Sequence, residues 1–248
     1  MSTHKEDKKE EKCQKCPEPF TAPGKCLDEV CLVFDDQQEL YVSQNFLILS
    51  SPVFDAMFKN DFKEKQQSAV FLKGKNHSEF HEFLLCINPG TFKPVTEANV
   101  LRIVPIAEEY QVDPIIQICQ LIMQNWLQKE YVSAKSNKYY SNYYHHSVVP
   151  TRQCLSILTT SLSLNYKSLI DNAVEILAKM PHRIYYGSYK PDTLCTDCHS
   201  QTRDLNGKNI TVREIIDECK IVFQTLPAEL RCTILSKKLA LYEDNYTL

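Results

Sequence analysis

Two cysteine pairs share one spacing. Cys195-Thr196-Asp197-Cys198 and Cys13-Gln14-Lys15-Cys16 each set two thiols three positions apart, a separation at which both thiolates can reach one tetrahedral metal ion. His199 follows the later pair directly and His182 precedes it. Covalent haem attachment at C-x-x-C-H requires an export route, and the opening residues contain no apolar stretch to supply one. A thiol–disulfide redox site requires a strand before it and a helix after it, and Pro191 with polar flanks speaks against both. Two readings stay open. In one, Cys13, Cys16, Cys195 and Cys198 hold a structural zinc ion, with His182 or His199 as further donors; in the other, the four are unbound surface thiols.

Other chemistry is sparse. His77 and His81 are four apart and could share a helix face, but His77 falls before the cap expected at Ser78 and no third ligand is evident, so both read as solvated. Tyr139, Tyr140, Tyr143 and Tyr144 could stack on bases, yet only Lys135 and Lys138 accompany them, too few to track a phosphate backbone. The chain has only five glycines, no two closer than the pair Gly74 and Gly90. Dinucleotide-binding, P-loop and nucleophile-elbow motifs all need clustered glycines and are therefore absent. No nucleophile–base pair or carboxylate pair is brought together by the pattern. The expectation is a protein without catalysis of its own.

Charge and cysteine use set the surroundings. With 28 Lys+Arg against 31 Asp+Glu, the formal charge of −3 carries no basic footprint for nucleic acid. The first twelve residues hold four lysines and four acids, which cancel. No secretory signal and no run of about 18 apolar residues is found, so a cytoplasmic and/or nuclear chain that contacts no membrane is expected. Eleven cysteines is an odd number. Cys31, Cys86, Cys119, Cys154 and Cys219 sit in apolar stretches and read as reduced core thiols.

The elements that must position these groups change character midway. A charged tail and Pro-rich linker occupy residues 1–25. Residues 30–34, 40–42 and 69–72 read as short strands. Ser51-Pro52 starts a helix with Val53, Phe54, Met57 and Phe58 on one face. Ser78 and Thr96 are the expected caps of two more helices, and Asp113-Pro114 opens another with Ile115, Ile118, Cys119, Ile122 and Trp126 inward. An α+β domain over residues 26–124 is expected. Residues 125–248 then read as helices only, with a loop at 135–146, a helix pair hinged at Asn165-Tyr166, an irregular segment at 181–210 and a capping box at Thr211-Val212-Arg213-Glu214.

In its first half the chain resembles a BTB/POZ domain. The resemblance rests on Val30-Cys-Leu-Val-Phe34, Leu40-Tyr-Val-Ser43, Phe46-Leu47, Ser51-Pro-Val-Phe-Asp-Ala-Met-Phe58, Val70-Phe-Leu72 and the run from Pro94 to Val112, in order and spacing. The helical half is similar to the BACK-like extension behind many such domains. Glu29 stands where the family carries Asp, Ser43-Gln44 where it carries His followed by Lys or Arg, and Asn88-Pro89 where it carries Tyr-Pro. The first two changes remove the charged pocket shared by the family's transcription repressors.

That resemblance implies a protein-interaction module. It implies a two-fold homodimer with Phe46, Leu49 and Met57 facing the partner, and a contact of Phe62 and Glu64 with cullin-3, through the Phe-x-Glu spacing of Phe62-Lys63-Glu64. The expected role is a homodimeric adaptor bringing a protein substrate, unnamed by the sequence, to a cullin-3 ubiquitin ligase. A self-associating scaffold or transcription co-regulator that does not bind cullin is the alternative.

Overall fold

In the computed structural model of this chain the described residues are 18–24, 26–59, 69–136, 148–180, 201–203 and 209–246. They divide into two compact units, Met1–His81 and Glu82–Leu248.

The first unit is built on a three-stranded sheet. Strand β1 (Glu29–Phe34) lies between β2 (Glu39–Ser43), antiparallel to it, and β3 (Ala69–Leu72), parallel to it. Val30 pairs with Val42, Leu32 with both Leu40 and Val70, and Phe34 with Leu72. All seven are buried, so period-two alternation puts one apolar face inward. At the β1–β2 turn Gln37 adopts φ 62°, and Asp36 Oδ1 accepts from Gln38 N (3.1 Å). Gly74, at φ 72°, donates its N–H to Asp35 Oδ2 (2.7 Å) and ties the turn after β3 to that hairpin. Two helices, α1 (Gln44–Ser50) and α2 (Pro52–Lys59), pack on each other. Leu47, Phe54 and Phe58 are their buried side chains.

Helix α3 (His77–Ile87) starts two residues earlier than the cap expected at Ser78 would place it. Asn76 Oδ1 accepts from Glu79 N (3.1 Å) and from the Ser78 hydroxyl (2.7 Å), and Asn76 O accepts from Phe80 N (3.0 Å). Asparagine is as good a cap as serine, so Asn76 takes the role and Ser78 becomes helical. Phe80 then meets Phe34 edge-on at 5.7 Å.

In the second unit, α4 (Val100–Glu109) packs on α5 (Asp113–Ser136), which also contacts α6 (Val148–Ser163) and α7 (Lys167–Lys179). Helix α6 also packs on α7 and on α8 (Val212–Thr225), while α9 (Ala228–Tyr246) packs on α7. Asn165, at φ 58°, makes the expected hinge between α6 and α7. The Thr211–Glu214 capping box is present, with Thr211 Oγ1 accepting from Glu214 N (3.2 Å) and Glu214 Oε2 accepting from Thr211 N (2.7 Å).

Ahead of α4, Thr96 caps nothing by its side chain. Asn99 lies at the cap position, and its Oδ1 accepts from Thr96 N (2.7 Å). Burial raises the Glu82 carboxyl's pKa, but hydrogen bonds from Lys93, Arg102 and Asn99 outweigh it and hold that carboxyl below its ordinary range.

Two expectations for this half change. Ile118 is 44% exposed, while Ile115, Cys119, Met123, Trp126 and Leu127 are buried. Three- and four-residue steps from Ile115 reach both Ile118 and Cys119, and only the second lies on the line that packs. The segment read as irregular contains a short antiparallel hairpin, β4 (Gln201–Arg203) with β5 (Asn209–Thr211).

Candidate protein-interaction surface

The front of the first unit is set by two hydrogen-bonded corners. At the first, Asp28 anchors the start of α1. Its Oδ2 accepts from Ser43 Oγ (2.5 Å) and Asn45 N (3.0 Å), and its carbonyl accepts from Gln44 N (2.8 Å). Ser43 Oγ in turn accepts from Phe46 N (3.2 Å) as the helix N-cap. The Ser43 hydroxyl, then the Asn45 N–H, hold the Asp28 carboxyl below its ordinary pKa. A carboxylate at a helix N-terminus is also favoured by the helix dipole.

Ser51 makes the second corner. It is buried, its N–H donates to Leu47 O (3.0 Å) to close α1, and its Oγ accepts from Phe54 N (3.2 Å) to open α2. One residue thus ends one helix and starts the next, with Pro52 at the first helical position. Ser51→Ala is expected to lower unfolding stability by about 1–2 kcal/mol through loss of the cap, read as a lower urea midpoint at unchanged m-value.

These corners carry the apolar residues singled out in the sequence. Phe46 and Leu49 lie three apart on α1, and Met57 lies on α2. Leu49 is 87% exposed, whereas Phe46 and Met57 are half-buried. Two further apolar side chains of this unit reach solvent: Leu27, just before β1, and Phe71, 68% exposed on the outward face of β3. Alternation in Ala69-Val-Phe-Leu72 already marks Phe71 as outward-facing. Phe62 and Glu64 lie outside the described residues, as do Cys13, Cys16, Cys195 and Cys198.

Among the described residues no three His, Cys, Asp or Glu side chains converge to hold a metal ion. The described cysteines are all free. Burial pushes the thiols of Cys86 up to about 11 and of Cys119 and Cys219 up to about 12, so they stay protonated and act as small apolar groups. No helix among the described residues is long and apolar enough to cross a membrane.

Comparison with known proteins identifies the domain. The BTB/POZ domain model matches residues 20–126. These residues are a BTB/POZ domain. BTB and MATH domain-containing protein 38 of Caenorhabditis elegans is 34% identical over 85 residues, covering 34% of this chain and 22% of that protein. BTB and MATH domain-containing protein 36 of the same organism is 29% identical over 161 residues, covering 61% of this chain and 48% of that protein. The chain thus spans about half or less of the length of these relatives.

A BTB/POZ domain indicates a protein-interaction module; here it has a small three-stranded sheet flanked by helices, and a helical region follows it in the chain. Within it, Glu29 accepts from Gly24 N (2.9 Å to each carboxylate oxygen). The acidic contact to Ser43 comes instead from the neighbouring Asp28.

Proposed function

We propose that this chain is a homodimeric substrate adaptor of a cullin-3 ubiquitin ligase. The observation that carries the reading is Leu49: a large apolar side chain held almost fully in solvent on a helix pinned at both ends, within a BTB/POZ domain. Exposed apolar surface of this kind marks protein contacts, and a two-fold contact would bury Phe46, Leu49 and Met57 of both copies at once. Phe62 and Glu64 then supply the cullin contact, the phenyl ring as anchor and the carboxylate as orienting group. The helical half serves as a BACK-like extension that enlarges that contact, and a protein substrate is the cargo.

Titrating the purified chain with cullin-3 tests the adaptor role. Phe62→Ala and Glu64→Lys are each expected to weaken binding at least about tenfold, the scale of a buried interface anchor. Equal binding by native chain and both variants removes the assigned contact. A native chain that captures no cullin-3 removes the adaptor role.

A further inference from the structure

Helix α5 is uncharged from Pro114 to Gln128, and part of that stretch faces solvent. Leu121 is 61% exposed, and Ile118, a turn earlier, is exposed as well. Beside Leu121 the helix borders a groove of about 430 Å³, walled on the other side by residues 166–169 at the start of α7. That second wall is held in place. Asn165 turns the chain at φ 58°, Tyr166 N donates to Ser161 O (2.9 Å), and the Tyr166 hydroxyl donates to Glu108 on α4. The Gln120 side chain also meets that hydroxyl, and Leu169 is buried. A preformed cleft that combines apolar surface with a few fixed polar groups is the common form of a binding site.

The lining selects the occupant. With Gln120 engaged by Tyr166, Gln117 and Gln124 are the amides left to the groove, and both are exposed. Two helical turns separate them, about 10.5 Å along the axis, and three residues of extended chain cover about the same length. Each amide carries a donor and an acceptor, the same pair that a peptide group presents. The two can therefore hold the backbone of an extended segment at both ends. Leu121 lies between them and offers apolar surface to one side chain of that segment. Lys167, also exposed, is the one charged residue of the lining. A carboxylate is its complement, and a cationic segment is repelled.

We propose that this groove docks an extended segment of a partner protein, with an aliphatic side chain against Leu121 and a carboxylate on Lys167. The groove lies wholly in the second unit, whereas the residues assigned above to self-association and to cullin-3 all precede Glu82. In an adaptor the segment belongs to the protein cargo. That identification rests on the adaptor reading, and the recognition chemistry does not.

The test is selection of a displayed library of random peptides on the immobilised full-length chain, followed by fluorescence anisotropy with the enriched peptides made synthetically. Enriched sequences are expected to share an aliphatic residue with Asp or Glu a few positions away. Leu121→Glu and Lys167→Glu should each weaken their binding at least about tenfold. Both side chains are exposed, so both variants should fold, and circular dichroism verifies it. Selection repeated on the Lys167→Glu chain should replace the acidic residue by Lys or Arg. Phe62→Ala should leave peptide affinity unchanged, and Leu121→Glu should leave cullin-3 binding unchanged, so failure of the cullin contact and failure of the groove are read separately. Enriched peptides without an aliphatic–acidic pattern, affinity that survives both Leu121→Glu and Lys167→Glu, or cullin-3 binding lost with Leu121→Glu overturns the proposal.

Discussion

Leu49→Asp is expected to turn a dimeric chain into a monomer while leaving its fold intact. The two halves of that expectation come from different numbers. Burying a leucine side chain is worth about 2 kcal/mol, and a two-fold contact carries the substitution twice. Adding the cost of two poorly solvated carboxylates, the dimer loses at least about 4 kcal/mol, or about three decades in dissociation constant. Folding loses almost nothing, because Leu49 is 87% exposed within its own chain and surface substitutions stay within about 0.5 kcal/mol. Light scattering across a dilution series should show the native mass near two chains and the variant near one, with superimposable circular dichroism. Phe46→Asp and Met57→Asp are the contrast, since both side chains are half-buried and should lower folding stability as well. A native monomer at high concentration, or a Leu49→Asp dimer as tight as the native one, sinks the dimer.

The domain was readable where a local rule and a long-range contact agree. Val30, Leu32 and Phe34 alternate inward and meet equally apolar partners on both neighbouring strands. Ser51-Pro52 and Thr211 with Glu214 are caps whose donors and acceptors are a few residues apart, so spacing alone locates them. Where two residues satisfy the same local rule, tertiary contact chooses. Asn76 and Ser78 can both cap α3, and the helix begins behind the first. Ile118 and Cys119 both follow Ile115 at helical steps, and only Cys119 is buried. The β4–β5 hairpin did leave a trace, because Asn206-Gly207, a pair favoured in tight hairpin turns, falls between its strands. In the candidate surface, residue types identified Leu49, but its exposure depends on α1 being pinned by Asp28 and Ser51, contacts that no periodicity announces.

Lys238 is the plainest case of a residue that pattern reading misses, and it yields a prediction with a definite sign. It lies on α9, only 3% exposed, and its Nζ donates to the carbonyl of Met180, the C-cap of α7. Burial pushes its pKa down to about 8 from an ordinary 10.5. Below pH 8 the folded and unfolded chains both hold the proton, so folding carries the full cost of enclosing an ammonium. Between pH 8 and 10.5 the folded lysine releases its proton while the unfolded one keeps it, so this group's contribution to stability rises with pH. Each pKa unit corresponds to about 1.4 kcal/mol, so the drop from 10.5 to about 8 puts the cost on the order of 3 kcal/mol. Lys238→Met keeps most of the volume and removes the charge, at the loss of the charge-assisted hydrogen bond to the Met180 carbonyl, worth about 2 kcal/mol. The variant should therefore be more stable at pH 7 by about 1 kcal/mol, some 2–4 °C in melting temperature for a chain of this size. Its advantage over the native chain should shrink steadily from pH 8 to 10.5. Comparing the two chains at each pH cancels the titration of Tyr110 and Tyr166, whose hydroxyls burial also displaces upward. Parallel urea titrations decide the matter. A Met variant less stable at pH 7, or a gap that does not change with pH, would show that the Met180 carbonyl compensates the buried charge in full.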